Sequence, residues 1–258
     1  MTNFPIEISQ GIRKAAELVR KARRTVVLTG AGNSTSSGIP DFRSADSGLW
    51  TRFSPMEVAS LSTFRYHPEK FFEWLRPLAS QMLNAQPNPS HIALAQLENS
   101  GYVKTIITQN IDGLHQRAGS QQVLEVHGTL NSLTCAGCYK QYRSADFIGP
   151  YIEQGKIPLC PECNKFLKPD VILFEEQLPV RTWLRAKDAV NTCDLLLVAG
   201  SSLIVMPVAG LPIRALENGA QVIVINKTPT YIDERSAVVI CGNVAEIIPA
   251  IAAEVLDA

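Results

Sequence analysis

The sequence predicts an α/β protein in which a parallel β-sheet, covered by helices on both faces, carries a smaller second domain. Short apolar runs alternate along the chain with stretches of helical periodicity. Runs this apolar are typical of strands that are buried on both faces, and such strands form parallel sheets between helical layers. Two stretches, one rich in aromatic residues and one rich in cysteines, break the alternation and indicate the second domain.

Each element of the sheet domain has its own signal. The first helix is predicted by apolar residues at helical spacing between Ile12 and Ala22, and the predicted strand Thr25–Thr29 follows it and ends in glycines. The last helix is predicted over Val244–Leu256. The other predicted strands are Val103–Thr108, Val123–Val126, Leu195–Ala199, Gln221–Ile225 and Ala237–Cys241.

The interruptions divide the chain into two predicted domains with a cleft between them. Residues 1–44, 96–130 and 171–258 are assigned to the sheet domain. Residues 45–95 form a helical module and residues 131–170 a cysteine module, and these two insertions together make the smaller domain.

Length and charge limit the classes of function. A chain of 258 residues is long enough to bury a large core. The 24 lysines and arginines equal the 24 aspartates and glutamates, so no global charge directs the chain to nucleic acid. No apolar run reaches the length of a membrane span. The first residues lack the pattern of a signal peptide, so we expect a cytoplasmic location under reducing conditions.

Four of the six cysteines form two Cys-x-x-Cys pairs, Cys135 with Cys138 and Cys160 with Cys163. Each pair offers two thiolates from one tight turn, and zinc binds four such ligands at tetrahedral angles. The spacing predicts one structural zinc ion, with ordinary buried thiols or two disulfides as the alternatives. The remaining cysteines, Cys193 and Cys241, lie in or beside apolar runs and are expected to pack as small hydrophobic side chains.

A glycine-rich loop follows the first predicted strand. Gly30, Ala31 and Gly32 stand where backbone N–H groups and a helix dipole bind a pyrophosphate in Rossmann-like folds. The third glycine of a dinucleotide-binding fingerprint would stand at Thr35, so that motif is only half matched. An ordinary turn remains the alternative.

Polar side chains also follow the other predicted strands. Because ligands of open α/β sheets bind beyond the carboxyl ends of the strands, we expect these side chains on one rim. Polar turns and helix caps are the alternatives. His127 follows a strand too, and a histidine that titrates near neutrality suits a general base, although a structural histidine is possible. The other residues of the rim are Gln109, Asn110, Asp112, Ser201, Ser202 and Asn226.

Seven features of the chain, in this order, resemble the signature of the sirtuins, the Sir2 family of NAD-dependent protein deacylases. They are Gly30–Arg43, Thr108–His115, Val126–Gly128, the four paired cysteines, Lys168–Val171, Gly200–Leu203 and Asn226. The resemblance spans nearly the whole chain and implies a Rossmann-like sheet domain. Two residues depart from the pattern: Asn33 replaces an apolar residue, and Glu175 replaces a glycine.

The resemblance implies two catalytic residues. His127 would be the general base, and Asn110 would line the ribose pocket together with Gln109. Asp112 and the backbone of Ile111 would hold the amide of nicotinamide. In the implied reaction, the acyl-lysine oxygen attacks C1′ of the nicotinamide ribose and expels nicotinamide. His127 then helps to deprotonate the ribose so that its 2′-oxygen takes over the acyl group.

The resemblance also implies the remaining NAD contacts, with zinc held by the four paired cysteines. Asp41, Phe42 and Arg43 would belong to a flexible cofactor loop in which Phe42 shields the reactive ribose from water; a core aromatic is the alternative for Phe42. The implied contacts are Gly30, Ala31, Gly32, Thr35, Asp41, Phe42, Arg43, Gly200, Ser201, Ser202, Asn226, Lys227 and Val244.

The implied substrate is an acyl-lysine peptide that enters as an added strand, with main-chain pairing giving affinity. Glu175 puts one of the two edges in doubt. The residues expected to contact the peptide are Val171, Ile172, Leu173, Phe174, Leu203 and Val205.

Sirtuins that prefer succinyl- or malonyl-lysine carry a Tyr-x-x-Arg pair on the helix of the small domain. Leu75 and Leu78 stand at those two positions here, amid Phe71, Phe72 and Trp74. The alternative is that Phe71, Phe72, Leu75 and Leu78 are simply helix core, and part of this stripe is expected to be. Arg76 is the nearest cation, but it is turned about 100° from Leu75 along a helix and is expected to face solvent. Uncharged acyl groups, acetyl and longer chains, are therefore expected to be preferred over succinyl.

Two other functions remain open. Mono-ADP-ribosyl transfer would use the same ribose carbon with a different acceptor. A non-catalytic NAD-binding or zinc-ribbon interaction module would need no catalytic residues, and the presence of His127, Asn110 and Asp112 speaks against it.

Overall fold

The computed structural model describes residues 4–43 and 48–257. The predicted domain boundary between residues 44 and 45 lies outside the described residues. The strands are β1 Thr25–Thr29, β2 Val103–Thr108, β3 Val123–Glu125, β4 Gly128–Cys135, β5 Gln141–Arg143, β6 Leu167–Val171, β7 Leu195–Ala199, β8 Gln221–Asn226 and β9 Val238–Cys241. The helices are α1 Ile6–Lys21, α2 Pro55–Val58, α3 Leu61–Tyr66, α4 Pro68–Asn84, α5 Pro89–Asn99, α6 Leu114–Arg117, α7 Ala145–Gln154, α8 Val180–Thr192, α9 Leu211–Glu217 and α10 Val244–Leu256.

Six strands form one parallel sheet in the order β3-β2-β1-β7-β8-β9. Strand β1 pairs with β2 on one side and with β7 on the other, so the chain order reverses there. The loops after β1 and β7 leave the sheet at this switch point, where open α/β sheets bind ligands. The predicted α/β fold is confirmed, and the predicted strands of the sheet are present with ends that differ by at most one residue.

Helices cover both faces of the sheet. On one face α1, α5 and α10 contribute apolar side chains such as Ile12, Leu94 and Ile251. On the other face α8 and α9 contribute Val190 and Leu211. Every residue of β1 and of β7 is buried, which explains why β7 and the centre of β1 are apolar without the alternation of a half-exposed strand.

The smaller domain has a core of its own. Phe64 of α3 packs against Phe71 and Phe72 of α4, with ring centroids 5.5 and 6.1 Å apart, and Tyr151 of α7 closes the cluster. Phe71 and Phe72 are therefore helix core, as expected. The cysteine module adds an antiparallel sheet in the order β5-β4-β6.

Helix α5 packs on the parallel sheet, since Ala93, Leu94 and Leu97 belong to the core formed with α1 and α10. Among the described residues, no helix is both long and apolar enough to cross a membrane.

The two unpaired cysteines have different surroundings. Cys193 is buried, as expected, but Cys241 is exposed, and the expectation that it packs as a hydrophobic residue is wrong. Strand β9 is an edge strand, and its side chains alternate between core and solvent from Val238 onward, which places Cys241 outside.

Candidate active site

A cleft of about 1320 Å³ lies between the carboxyl edge of the parallel sheet and the smaller domain. Of the residues predicted for the site, Leu203 does not line the cleft: its side chain is buried in the core on the α8 and α9 face of the sheet. The predicted residues that line the cleft are Gly30, Ala31, Gly32, Thr35, Asp41, Phe42, Arg43, Gln109, Asn110, Ile111, Asp112, His127, Val171, Ile172, Leu173, Phe174, Gly200, Ser201, Ser202, Val205, Asn226, Lys227 and Val244.

The glycines at the switch point are required by close backbone contact. A Cβ on Gly30 would lie 2.8 Å from the carbonyl oxygen of Gly200, and one on Gly32 would lie 2.9 Å from it. Gly200 has a φ of +62°, and a Cβ there would lie 2.4 Å from the nitrogen of Asn33. A dinucleotide-binding fingerprint would have its third glycine at the position of Thr35. Here the third glycine in close backbone contact is Gly200, in the loop after β7.

Asn33, the first departure from the family pattern, is buried and tied to the start of α5. Its carbonyl oxygen accepts a hydrogen bond from Nδ2 of Asn88 at 2.8 Å, and its Oδ1 accepts one from Oγ of Ser90 at 2.7 Å. The bond from Ser90 gives the side-chain oxygen of Asn33 a partner, at a position where the family usually has an apolar residue. The two hydrogen bonds also tie the loop after β1 to the start of α5.

His127 lies two residues beyond the end of β3 at Glu125, after the buried Val126. Its Nδ1 is 3.1 Å from the carbonyl oxygen of Gln109. Because a carbonyl oxygen only accepts, Nδ1 carries the proton and Nε2 keeps a free lone pair. Burial lowers the pKa of His127, the hydrogen bond with Gln109 opposes this, and the charge of Arg43 lowers the pKa further. The ring is held neutral, as a general base must be.

Asn110 and Asp112 are joined by a serine that sequence reasoning did not single out. Nδ2 of Asn110 donates to the carbonyl oxygen of Gly30 and to Oγ of Ser34, both at 3.0 Å. Oγ of Ser34 in turn donates to Oδ2 of Asp112 at 2.7 Å. Burial raises the pKa of Asp112, while hydrogen bonds from Leu114 and Ser34 lower it. Ser34 lies in a run of hydroxyl residues, which was its one signal in the sequence.

The loops after β2, β7 and β8 meet along the same rim. Nε2 of Gln109 donates to Oγ of Ser201 at 2.8 Å. Nδ2 of Asn226 donates to the carbonyl oxygen of Thr228 at 2.8 Å and braces the turn after β8. Neither Ser201 nor Asn226 caps a helix, so the alternative that these two residues are helix caps does not hold.

Phe42 belongs to an aromatic wall of the cleft. Its ring stacks on Trp50 with centroids 5.0 Å apart, and Trp50 contacts Trp74 at 6.0 Å and Phe174 at 6.1 Å. Trp50 was not predicted as a site residue. Phe42 thus lines the cleft rather than a closed core.

Leu75 and Leu78 form an apolar part of the cleft. Their side chains are 2% and 4% exposed and share a core with Ile39, Met82 and Ile111, which line the same cleft. Among the described residues that line the cleft, the lysines and arginines are Arg43, Lys187 and Lys227.

Arg76 does not face solvent, so that expectation is wrong. Its Nε and Nη2 donate to the carbonyl oxygen of Ile152 at 2.9 and 2.7 Å, and Nη2 also donates to Glu153 at 3.1 Å. The guanidinium satisfies carbonyl groups at the end of α7, where a helix has unpaired acceptors. As expected, it is absent from the apolar wall.

The segment after β6 is held against the smaller domain. The N–H of Phe174 donates to Ala59 at 3.0 Å, and the carbonyl of Phe174 accepts from Leu61 at 3.0 Å. Glu175, the second departure from the family pattern, has a φ of 74°, a conformation that favours glycine. One of its carboxylate oxygens accepts from the N–H of Ser62 at 2.9 Å.

The four paired cysteines are positioned for one zinc ion. Their Sγ atoms all lie within 4.8 Å of one another, with Cys135 and Cys163 at 3.3 Å and Cys138 and Cys160 at 3.7 Å. A tetrahedral site with Zn–S bonds of about 2.3 Å places neighbouring sulfurs about 3.8 Å apart. All four are free thiols, so the disulfide alternative does not hold. None of the four lines the cleft, which fits a structural ion.

Comparisons with known proteins identify the family of the chain. Residues 30–207 match the sequence pattern of the Sir2 family. An NAD-dependent protein deacylase 2 of Archaeoglobus fulgidus is 46% identical over 245 residues, which cover 95% of this chain and 96% of the relative. An NAD-dependent protein deacylase of Ralstonia nicotianae is 42% identical over 241 residues, covering 93% and 95%.

Solved structures give the same result. One is a structure from work on the mechanism and regulation of Sir2 enzymes. It has a TM-score of 0.91 and 45% identity, and the match covers 96% of this chain and 99% of the other. A Sir2 protein bound to a myristoylated histone peptide has a TM-score of 0.83 and 40% identity, covering 96% and 98%. The chain therefore belongs to the Sir2 family, and the expectation of a sirtuin-type NAD-dependent protein deacylase is confirmed at the level of that family.

Proposed function

We propose that the chain catalyses NAD-dependent deacylation of lysine side chains in proteins, moving the acyl group to ADP-ribose and releasing nicotinamide. The observation that carries the proposal is His127, which is half-buried in the cleft that also holds Asn110 and Asp112, with Nδ1 donating to the carbonyl oxygen of Gln109 and Nε2 left to accept a proton. Relatives named NAD-dependent protein deacylases support it. So does a Sir2 structure with a deacetylated peptide and acetyl ADP-ribose.

The residues at the switch point fit NAD. Bound NAD supplies an electrophilic ribose carbon with nicotinamide as its leaving group. Gly30, Gly32 and Gly200 bring backbone close together where a Cβ would fill the space, which suits a phosphate-binding loop. Asp112, fixed by Ser34 and by the N–H of Leu114, would hold the carboxamide of nicotinamide together with the backbone of Ile111.

His127 would take the proton from a ribose hydroxyl. The hydrogen bond to Gln109 fixes the ring's tautomer and orientation, so Nε2 is the basic atom. Asn110 would hold the ribose, because its amide is anchored by Gly30 and Ser34 at the floor of the cleft. Phe42, stacked on Trp50, would exclude water from the reacting carbon.

An acyl-lysine peptide would enter as a strand between two segments of the cleft. One is the segment from Val171 to Phe174, and the other includes Val205. Glu175 occupies the left-handed position that its glycine counterpart would occupy, so the edge keeps its course despite the substitution.

We further propose that uncharged acyl groups are preferred over succinyl. The wall formed by Leu75 and Leu78 offers no counter-charge, and Arg76 is engaged with carbonyl groups of α7. Met82 and Ile39 continue the apolar surface and would accommodate longer acyl chains. A carboxylate on the acyl group would lose its water there without gaining a partner.

Release of nicotinamide tests the proposed function. The protein is incubated with NAD and either an acetyl-lysine peptide or the same peptide with free lysine, and the products are separated by mass. We expect nicotinamide and acetyl-ADP-ribose with the acetylated peptide alone. ADP-ribose attached to the unmodified peptide would instead indicate ADP-ribosyl transfer, and no nicotinamide with either peptide would refute the proposed function.

Two structural expectations accompany this function as proposals. The division into a sheet domain and a smaller domain of two insertions is kept, with the helical module ending before α5 because that helix packs on the sheet. A reducing compartment such as the cytoplasm is proposed because the paired cysteines can hold zinc only as reduced thiols.

A further inference from the structure

Two histidines form a buried pair near the loop after β2, which carries Asn110. His91 of α5 and His115 of α6 are 0% and 1% exposed, and their ring centroids lie 4.8 Å apart. Neither ring lines the cleft, and the proposed mechanism assigns them no role. Buried imidazoles usually have hydrogen-bond partners at both nitrogens, so each atom of this pair can be accounted for in turn.

The tautomer of His115 follows from its neighbour Thr29. Oγ1 of Thr29 donates its proton to Oγ1 of Thr108 at 2.9 Å. The same oxygen is 3.0 Å from Nε2 of His115 and can only accept there, so Nε2 carries the proton. Nδ1 of His115 is then a bare acceptor, and it has no partner among the described residues.

The tautomer of His91 is fixed from the other side. Its Nδ1 accepts the N–H of Asn88 at 3.3 Å, so its proton is on Nε2. That Nε2 donor also has no partner among the described residues. One ring therefore has an unpaired donor and the adjacent ring an unpaired acceptor, and the two rings meet by packing rather than by a hydrogen bond.

The hydrogen bonds continue from His115 to a catalytic residue. Oγ1 of Thr108, which receives the proton of Thr29, also accepts the backbone N–H of Asn110 at 3.0 Å. A neutral His115 thus directs the hydroxyl of Thr29 toward Thr108, and Thr108 fixes the backbone of Asn110. Burial lowers the pKa of His91 to about 4 and also lowers that of His115, which keeps both rings neutral.

We propose that His115 is a positioning residue for Asn110, acting through Thr29 and Thr108. The start of α5 would then contact both halves of the site. Asn88 and Ser90 bind Asn33 in the loop after β1, and the ring of His91 packs against that of His115. The inference rests on the proposed function, because the placement of Asn110 is measured through catalysis.

Two substitutions of similar size separate positioning from packing. Gln places an amide nitrogen near the position of Nε2 of histidine, whereas Asn places it near Nδ1. His115→Gln keeps the donor to Thr29 and should retain kcat within about threefold, and His115→Asn loses that donor and should lower kcat about tenfold. The KM for peptide should not change in either variant, since His115 does not line the cleft. Both lose the ring, so their melting temperatures should fall by similar amounts.

Equal kcat values for the two variants would overturn the proposal. NMR of the imidazole nitrogens in the unmodified protein gives a second measurement that needs neither variant to fold and no activity. We expect His91 and His115 to be neutral near neutral pH with the proton on Nε2. A proton on Nδ1 of His115, or a charged ring, would refute the relay even if the wild-type enzyme deacylates peptides. Absence of wild-type activity with the expected tautomers would refute the proposed function instead.

Discussion

The acyl selectivity can be tested by changing charge alone. Butyryl-lysine and succinyl-lysine carry four-carbon acyl chains, and they differ in whether the chain ends in a methyl group or a carboxylate. In the cleft that end would lie against Leu75 and Leu78, whose side chains are 2% and 4% exposed. Burying an unpaired carboxylate costs several kcal/mol, and about 3 kcal/mol of transition-state binding corresponds to about a 100-fold loss in kcat/KM.

The assay compares kcat/KM for the two acyl groups on one peptide, with nicotinamide release as the readout. We expect butyryl-lysine to be cleaved about 100-fold more efficiently. Leu78→Arg supplies a cation and should shift the ratio toward succinyl, while Leu78→Met, of nearly equal volume to leucine, should leave it unchanged. Turnover of the succinyl peptide equal to that of the butyryl peptide in the wild-type protein would refute this account of the wall.

The remaining predictions concern His127, the zinc site and Glu175 in its left-handed conformation. His127→Ala should lower deacylation at least about 100-fold while the protein keeps its fold, and near-full activity would contradict the assignment. Since the pKa of His127 is lowered and only the neutral ring accepts a proton, kcat/KM should fall only below about pH 6.5, and a decline beginning well above it would argue against this ring as the base. Cys138→Ala should lose zinc and thermal stability together, whereas Cys241→Ala, at an exposed cysteine outside the pairs, should keep one zinc per chain by elemental analysis. Glu175→Gly should melt at a higher temperature than Glu175→Ala, because both lose the bond to Ser62 but glycine accepts a φ of 74° without strain; equal melting temperatures would show that the strain is negligible.

The sheet was predictable because its signal is local. Strands β1 and β7 are buried along their whole length, so β7 and the centre of β1 are apolar without interruption, and each strand is followed by glycine. The zinc site was predictable for a similar reason, since each pair of ligands comes from one tight turn. Cys241 was misjudged because burial in β9 depends on its place at the edge of the sheet, which the apolar run does not reveal.

The surroundings of the site were harder to predict because they join distant parts of the chain. Arg76 has the composition of a surface residue, and its engagement with Ile152 depends on where α7 ends against α4. The glycine requirement at Gly30 depends on Gly200, which belongs to the other half of the sheet. Periodicity and motif spacing describe neighbours along the chain, so such contacts need the fold itself.

The polar network under the cleft shows most clearly what the fold adds. Asn110, Asp112 and His127 were recognisable because each follows a strand that ends on the same rim. Ser34 and His115 lie inside two of the family-like motifs but were not singled out, because a serine in a hydroxyl run and a histidine at the start of a short helix have ordinary local roles. Their importance comes from the atoms they meet, 78 residues away for Ser34 and 86 for His115. In a buried network an unpaired donor or acceptor costs stability, so each hydrogen bond constrains the next partner. In the proposed mechanism, the orientation of Asn110 is therefore set in part by His115, a residue that does not line the cleft.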